Sequence, residues 1–468
     1  MYLPIDHLKY LSMPLPEEVK MYHYSGDFEG EVACIDKWLK RKLPEALRRR
    51  LDIQRIFAKL LVDDYPLSTE AFLDGLRERC PSATEQTLED FIAMGNVDFI
   101  LRNGQRYFQR QALRNLFNTH GKDIERINDP TYIPPDKSSA ELETVHTLKA
   151  QGSLAYRYEV EEWMKICPHA VRDGEMLRLW FPFPVDCATQ PAEEIKLLDS
   201  SHPVTLTGDV HRTAYMEVPC HADETYWVKF SFVNRCTYTD ISGHISTGIP
   251  AGEGLSANEL AEYTAEQYPH IRFTPYVKAL AEEIKGDETD PLMLARKVYD
   301  WICDHVQYSY VRDYLLFDNI PEFVMTNGYG DCGTMALTFI TLCRALGIPA
   351  KWQSGSSCRP DGIGSHDWCM FYVAPYGWLY CDPSYGVGAV RNGNETRRQH
   401  YFCNLDPFRL VACNEFQQPL TPDKRLCRMD PYDNQGGEVE YANPDYPIFW
   451  KDRESGRRVV RSERLDND

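Results

Sequence analysis

Apolar residues fall at helical spacing through about the first 125 positions, alternate with polar ones from about 148 to 245, and return to helical spacing near 256. In the first region Ser82 and Glu85 stand at capping-box spacing ahead of Leu88, Phe91 and Ile92, which predicts a helix start. Asn103-Gly104, between apolar runs, predicts a hairpin, because both residues tolerate the backbone of a tight turn. Lys40, Arg41, Lys42, Arg48, Arg49 and Arg50 form a basic stretch that reads as the solvated side of an amphipathic helix.

The polar passage Asp129 to Ser139, with three prolines, reads as a linker. Leu177 to Phe183, and Tyr226, Val228, Phe230 and Phe232 alternating with Lys229 and Ser231, predict strands of a small β-sandwich. Helical signals return at Ser256 to Gln267 and Pro275 to Ile284. Asp290-Pro291 then opens a helix whose apolar stripe is Leu294, Val298, Trp301, Ile302 and Val306. The resulting expectation is an α+β chain: a mainly helical region over 1–125, a sandwich over 140–250, and a core with a polar C-terminal extension over 255–468.

Length agrees with that division, since 468 residues suggest about three domains. Acids outnumber bases 70 to 51, a net charge of −19, which argues against a nucleic-acid partner. Fifteen cysteines, none in a C-x-x-C pair, argue against a complete disulfide framework and ordinary zinc ribbons. The opening MYLPIDHLKYLSMPLPEEVK lacks an uninterrupted apolar run, and no stretch approaches the ~18 apolar residues of a membrane helix. Reduced thiols without an export signal give a cytoplasmic, membrane-free expectation.

The chemistry concentrates in GYGDCGTMALTFITLCRALGIPAKWQSG, residues 328–355. Asp331 is a helix cap, Cys332 falls in the first turn, and Gly347 and Pro349 supply the stop. A thiol there feels the positive end of the helix, which favours thiolate, although Asp331 opposes this. Gly333 predicts open space beside the sulfur. His366 opens a strand in SHDWCMFYV, with Trp368, Met370 and Tyr372 on its face, and Asp382 ends the partner strand in WLYCDPSYG. A hairpin of this kind can set Asp382 beside His366, completing nucleophile, base and orienter. Each residue has a plainer reading: a cysteine in an apolar helix is usually a small buried hydrophobe, as Cys343 and Cys413 are read here. Only the ordered combination rises above that. A metal site of Cys369, Cys381 and His366 is disfavoured, because alternation separates Cys369 from His366.

G-D-C-G, R-A-L-G-I-P-A, H-D-W and D-P-S, spanning 330–386, together resemble the transglutaminase-like superfamily, whose core has the papain-like cysteine-protease arrangement. A wider likeness takes in YFCNLDPFRLVA (401–412) and DPYDNQGGEVEY (430–441). The resemblance implies Cys332 as nucleophile, His366 as general base and acid, Asp382 as orienter, and a sandwich ahead of the core. It departs from H-x-W-x-E at Met370, lacks the zinc-binding C-x-x-C pairs of peptide N-glycanases, and shows no calcium loop at Asp430 to Glu438. The expected activity is thiol-dependent cleavage or transfer at an amide of a peptide or protein, without cofactor or metal. The Cys332 N–H is one oxyanion donor and Tyr308, Tyr310 or Gln353 the other, with Trp352, Trp368 and Tyr385 as cleft candidates. The competing reading is a non-catalytic binding or scaffold protein that retains the core.

Overall fold

The computed structural model describes residues 3–95, 97–129, 131, 139–246, 248–428 and 430–465, without the side chains of 139–141. Most of the expected linker therefore lies outside the described residues. The first region contains α1 (Glu17–Ser25), α2 (Phe28–Leu39), α3 (Glu45–Asp64), β1 (Leu67–Ser68), α4 (Thr69–Arg77), α5 (Glu85–Met94), β2 (Phe99–Arg102), β3 (Gln105–Phe108) and α6 (Ala112–Asn128). The β2–β3 hairpin turns at Asn103 and Gly104, with φ of 49° and 80°. The capping box of α5 is not Ser82–Glu85. It is Thr84 and Thr87, each hydroxyl accepting the other's backbone N–H immediately before the first helical residue. The basic stretch is also not wholly solvated. Arg50 is buried and donates to the Met13 carbonyl, Gln54 and Asp318, tying α3 to the core, while Lys40, Arg41 and Lys42 are exposed.

After α7 (Ser139–Gln151) come β4 (Ser153–Ile166), β5 (Met176–Pro182), β6 (Lys196–Ser200), β7 (Thr205–Thr207), β8 (Thr213–Pro219) and β9 (Thr225–Thr237). The core follows with α8 (Ala257–Tyr263), α9 (Pro275–Lys285), α10 (Pro291–His305), β10 (Gln307–Tyr308), α11 (Ile320–Asn327), β11 (Tyr329–Gly330), α12 (Cys332–Ala345), β12 (Ala350–Arg359), β13 (Gly362–Val373) and β14 (Gly377–Cys381). Last are α13 (Pro383–Arg391), α14 (Glu395–His400), β15 (Phe402–Cys403), β16 (Arg409–Cys413), β17 (Glu438–Tyr441) and β18 (Arg453–Leu465).

The sandwich is two four-stranded sheets, ordered β17-β5-β8-β7 and β18-β4-β9-β6. Its apolar centre includes Tyr158, Val160, Leu179, Met216, Phe230 and Phe232. Each sheet takes one strand from beyond residue 430, so the C-terminal segment is not a trailing extension and the sandwich is not confined to 140–250. Charge hides both strands in the sequence. Glu438 and Glu440 on β17 are fully buried, their carboxylates held by Lys424 at 2.7 Å and Arg178 at 2.6 Å. A buried charge is tolerable only when paired in this way. On β18 one arginine, Arg458, pairs across to β4, with Glu161 at 2.8 Å, while Arg461 pairs with Glu463 of its own strand.

The core sheet is antiparallel and ordered β15-β14-β13-β12-β16. Helices α9 to α12 cover one face, where Met335 and Phe339 join Trp352, Cys369 and Phe371. On the other face Trp368 and Val411 pack with Leu148, Leu154 and Val185 beside the sandwich. Successive strand residues point to opposite faces, so Asp367 and Cys369 look toward α12 while His366 and Trp368 look away. All fifteen cysteines are free, and no described helix is long and apolar enough to cross a membrane.

At Gly355, opposite His366, the β12–β16 register shifts, and an added Cβ would overlap the Leu410 carbonyl. Gly355→Ala should therefore destabilise the protein by about 1–3 kcal/mol through overpacking. Urea unfolding checks this as a lowered midpoint at unchanged slope.

Candidate active site

Asp331 caps α12: its Oδ1 accepts the Thr334 N–H at 3.1 Å, while the Thr334 hydroxyl accepts the Asp331 N–H at 2.9 Å. The Tyr314 hydroxyl donates to the same carboxylate. This box fixes Cys332 at the first helical position, where it is 7% exposed. Its Sγ donates to Asp367 Oδ2 at 3.4 Å. Burial, reinforced by the charges of Asp367 and Asp331, pushes the thiol well above its ordinary range. The helix end does not win here: desolvation and two carboxylates outweigh a partial charge. Gly333 likewise does not face open space, since a Cβ there would overlap the Tyr314 hydroxyl and the Asp367 carboxylate.

On the other side of β13, His366 Nε2 lies 2.7 Å from Asp382 Oδ2. Asp382 caps α13, its Oδ1 accepting from the Tyr385 N–H at 3.0 Å and the Ser384 hydroxyl at 2.9 Å. Thus D-P-S does more than end a strand: Pro383 occupies the first helical position, where a missing N–H costs nothing. Arg409 Nη1 binds Asp382 Oδ2 at 2.8 Å, and its Nη2 binds Asp406 at 2.9 Å. The Tyr385 ring stacks on His366 at 4.6 Å. Burial disfavours ionisation of Asp382, yet His366 and Arg409 hold it well below the usual carboxylate range. Burial lowers His366, against the pull of Asp382, so the imidazole rests neutral at neutral pH.

The structure therefore joins His366 to Asp382 but not Cys332 to His366: the sulfur bonds Asp367, the next residue, which faces the other side of β13. Asp367 was not foreseen as a site residue. Its Oδ1 accepts from Gln435 Nε2 at 2.6 Å. Burial, opposed by a hydrogen bond with Asp433 and reinforced by the charges of Asp331 and Asp430, pushes it up to about 8. Burial also raises Asp433 to about 7 and Asp331 to about 6. These groups, with Tyr308, Tyr310, Tyr314 and Trp450, line a cavity of about 190 Å³ that reaches Cys332. Gln353 is not available as an oxyanion donor, because it binds Trp368 and Asn414 on the opposite face. Trp352, Trp368 and Tyr385 do not line this cavity. Cys369 instead donates to the Cys381 carbonyl at 3.3 Å, and Cys343 and Cys413 are buried thiols. Arg409 and Asp406 lie within YFCNLDPFRLVA, and Asp430, Asp433 and Gln435 within DPYDNQGGEVEY; those stretches were the available signal, without roles attached.

Two outcomes follow from these charges. Below about pH 8 Asp367 is largely protonated; above it the carboxylate opposes a thiolate at Cys332. Asp367→Asn should thus speed iodoacetamide labelling of Cys332 over the wild type by a margin that widens as pH rises through 8. Mass-spectrometric rates across pH 6–10 check this. Arg409→Met leaves Asp382 and Asp406 buried without their cation and should cost about 3–5 kcal/mol near neutral pH. Both folded carboxyls titrate below their unfolded range, Asp406 at about 2, so their contribution is present above the unfolded value and lost as pH falls toward 2. Denaturant midpoints should accordingly fall less steeply with acid in the variant than in the wild type.

The segment 278–383 matches the transglutaminase-like superfamily. A Haemophilus influenzae protein with no described activity is 30% identical over 169 residues, covering 30% of this chain and 44% of that protein. The match thus spans less than half of that relative's length. A candidate cysteine protease from Cytophaga hutchinsonii has a TM-score of 0.42 at 13% identity, covering 68% of this chain and 92% of its own. The periplasmic domain of TgpA from Pseudomonas aeruginosa has a TM-score of 0.27 at 14% identity, over 55% of this chain and 95% of its own. The matched segment contains the helix start at Cys332, the strand of His366 and the cap at Asp382, and residues 278–383 are accordingly a transglutaminase-like domain.

Proposed function

We propose that the protein is a thiol-dependent hydrolase or acyl transferase acting on an amide of a peptide or protein, with Cys332 as nucleophile, His366 as proton carrier and Asp382 as orienter. The observation supporting this reading most directly is the buried 2.7 Å bond between His366 and Asp382, one strand position from the residue that holds Cys332. With Nε2 committed to Asp382, Nδ1 is the nitrogen left to accept the thiol proton. Because His366 and Cys332 lie on opposite faces of β13, the reaction requires a rearrangement of that strand that brings Nδ1 to the sulfur, whose hydrogen bond then passes from Asp367 to His366. The sulfur then attacks the carbonyl carbon, and the C=O electron pair moves onto oxygen. The backbone N–H of Cys332, at the free end of α12, is placed to bind that oxyanion. Tyr308 and Tyr310 line the same cavity as candidates for the second donor. Collapse expels the amine, which takes the proton from His366 and leaves a thioester. Water, deprotonated by His366, releases the acid; an amine in its place gives transfer. Hydrolysis is the favoured outcome because it needs no separate amine site.

The scaffold reading draws on two observations: Cys332 is 7% exposed and already bonded to Asp367, and His366 lies across β13 from it, bonded to Asp382. Incubation with glutamine-containing peptides, with and without a primary amine, separates the readings by product mass. The expected products are hydrolysed or deamidated peptide, absent with Cys332→Ala and reduced about 10³-fold or more with His366→Asn. Products undiminished in Cys332→Ala would exclude this thiol. No product in any arm, with Cys332 inert to electrophiles, would favour the scaffold.

A further inference from the structure

The cavity at Cys332 does not stop at the core. A second cavity, of about 370 Å³, adjoins it and shares Ser365, Asp430, Gln435 and Trp450 in its wall. Its far wall belongs to the sandwich and contains Glu162, Trp163, Gly456 and Arg457. Glu162 is out of place by every rule of the strand that carries it. Tyr158, Val160, Met164 and Ile166 of β4 point into the apolar centre of the sandwich, and the period of two puts position 162 among them. Yet it is a carboxylate, 4% exposed, with an Oε1 that finds no hydrogen-bond partner among the described residues. An unsatisfied buried carboxylate carries a desolvation penalty that a native structure rarely leaves unanswered.

The neighbouring cation does not answer it. Arg457 stands directly across from Glu162 on β18, but its Nη1 donates to the Ser356 hydroxyl at 2.8 Å and the Gln435 carbonyl at 2.6 Å, and its Nη2 donates to Ser365. Arg453 is stacked on the Trp450 ring at 4.5 Å and bonded to the Gly436 carbonyl. The other acid in the wall is Asp430, which burial pushes toward its neutral form. Trp450 completes the pocket. The indole of Trp163, on the outer face of β4, lies over Gly456, where any Cβ would overlap it. An indole face beside an unpartnered carboxylate is the pair of surfaces that an alkylammonium or guanidinium fits.

We propose that this cavity is the specificity subsite of the thiol centre and takes a basic side chain of the substrate, with Glu162 meeting its charge and Trp450 walling its alkyl stem. The assignment rests on the proposed thiol chemistry for its biological sense, but its binding chemistry stands apart from turnover. The probes are Nα-acetyl-lysine amide and the neutral Nα-acetyl-norleucine amide, titrated calorimetrically into the full chain carrying Cys332→Ala. The lysine amide should bind about tenfold or more tightly than the norleucine amide. Adding Glu162→Gln should abolish that gap while leaving the norleucine affinity unchanged. Burial raises Glu162 to about 8, so at pH 7 it rests mainly protonated, opposed only by Arg457. Binding of the lysine amide should then release protons, read as a dependence of the heat on the buffer's ionisation enthalpy. That measurement uses only the parent protein and decides the matter even if the Gln variant fails to fold. Equal affinities for the two amides, a lysine preference that survives Glu162→Gln, or no proton release would each overturn the subsite. Turnover of peptides without any basic preference would overturn it too and leave the thiol chemistry standing. A lysine preference in a protein that never turns over would do the reverse.

Discussion

The buried guanidinium of Arg409 is the interaction on which the rest of the site depends. It lies between Asp382 and Asp406, all three nearly without solvent, and balances two carboxylates that would otherwise take up protons in that environment. Because Asp382 stays ionised, it can hold the His366 ring in one orientation and leave the other nitrogen free. Because Asp382 also caps α13, the same carboxylate fixes the turn between the hairpin and the next helix. Removing the cation would therefore disturb charge, ring orientation and chain direction together.

On the opposite face of the same strand the balance is reversed. Asp331, Asp367, Asp430 and Asp433 converge on Cys332 without an ion pair to any of them among the described residues, and each is driven toward its neutral form. β13 thus separates a neutral imidazole on an ionised carboxylate, His366 and Asp382, from a protonated group that keeps the thiol at rest. Two residues adjacent in sequence, His366 and Asp367, serve the two regimes because strand side chains alternate. The energy that holds Cys332 closed is desolvation, and anything that brings a cation or water to the acid cluster works against it.

Much of this was legible in the sequence, and the failures have physical causes. The helix of Cys332, the hairpin of His366 and Asp382, the Asn103-Gly104 turn and the start of α10 at Asp290-Pro291 rest on local rules of capping, alternation and turn chemistry. The strands β17 and β18 were not legible, because burying Glu438 and Glu440 requires Lys424 and Arg178 as partners, and no local pattern reports such pairs. For the same reason Arg409 and Gln435 could be noticed only as parts of familiar stretches. The raised thiol at Cys332 escaped because a helix end is a local feature, whereas desolvation by Tyr314, Asp367 and the Gln435 segment is a property of the assembled fold.

Strand β18 has a consequence for the order in which the site comes into being. During synthesis α12, β13 and β14 leave the ribosome well before residues 430–465, which carry Gln435, Trp450, Gly456 and Arg457. The emerging chain therefore holds Cys332 and the His366–Asp382 pair before it holds either the clamp on Asp367 or the sandwich wall of the adjoining cavity. A nascent thiol without its shield is the state most open to oxidation and wrong partners. Closure of the two sheets by β17 and β18 ends that exposure, so completion of the sandwich and protection of the thiol are one event in the life of the chain.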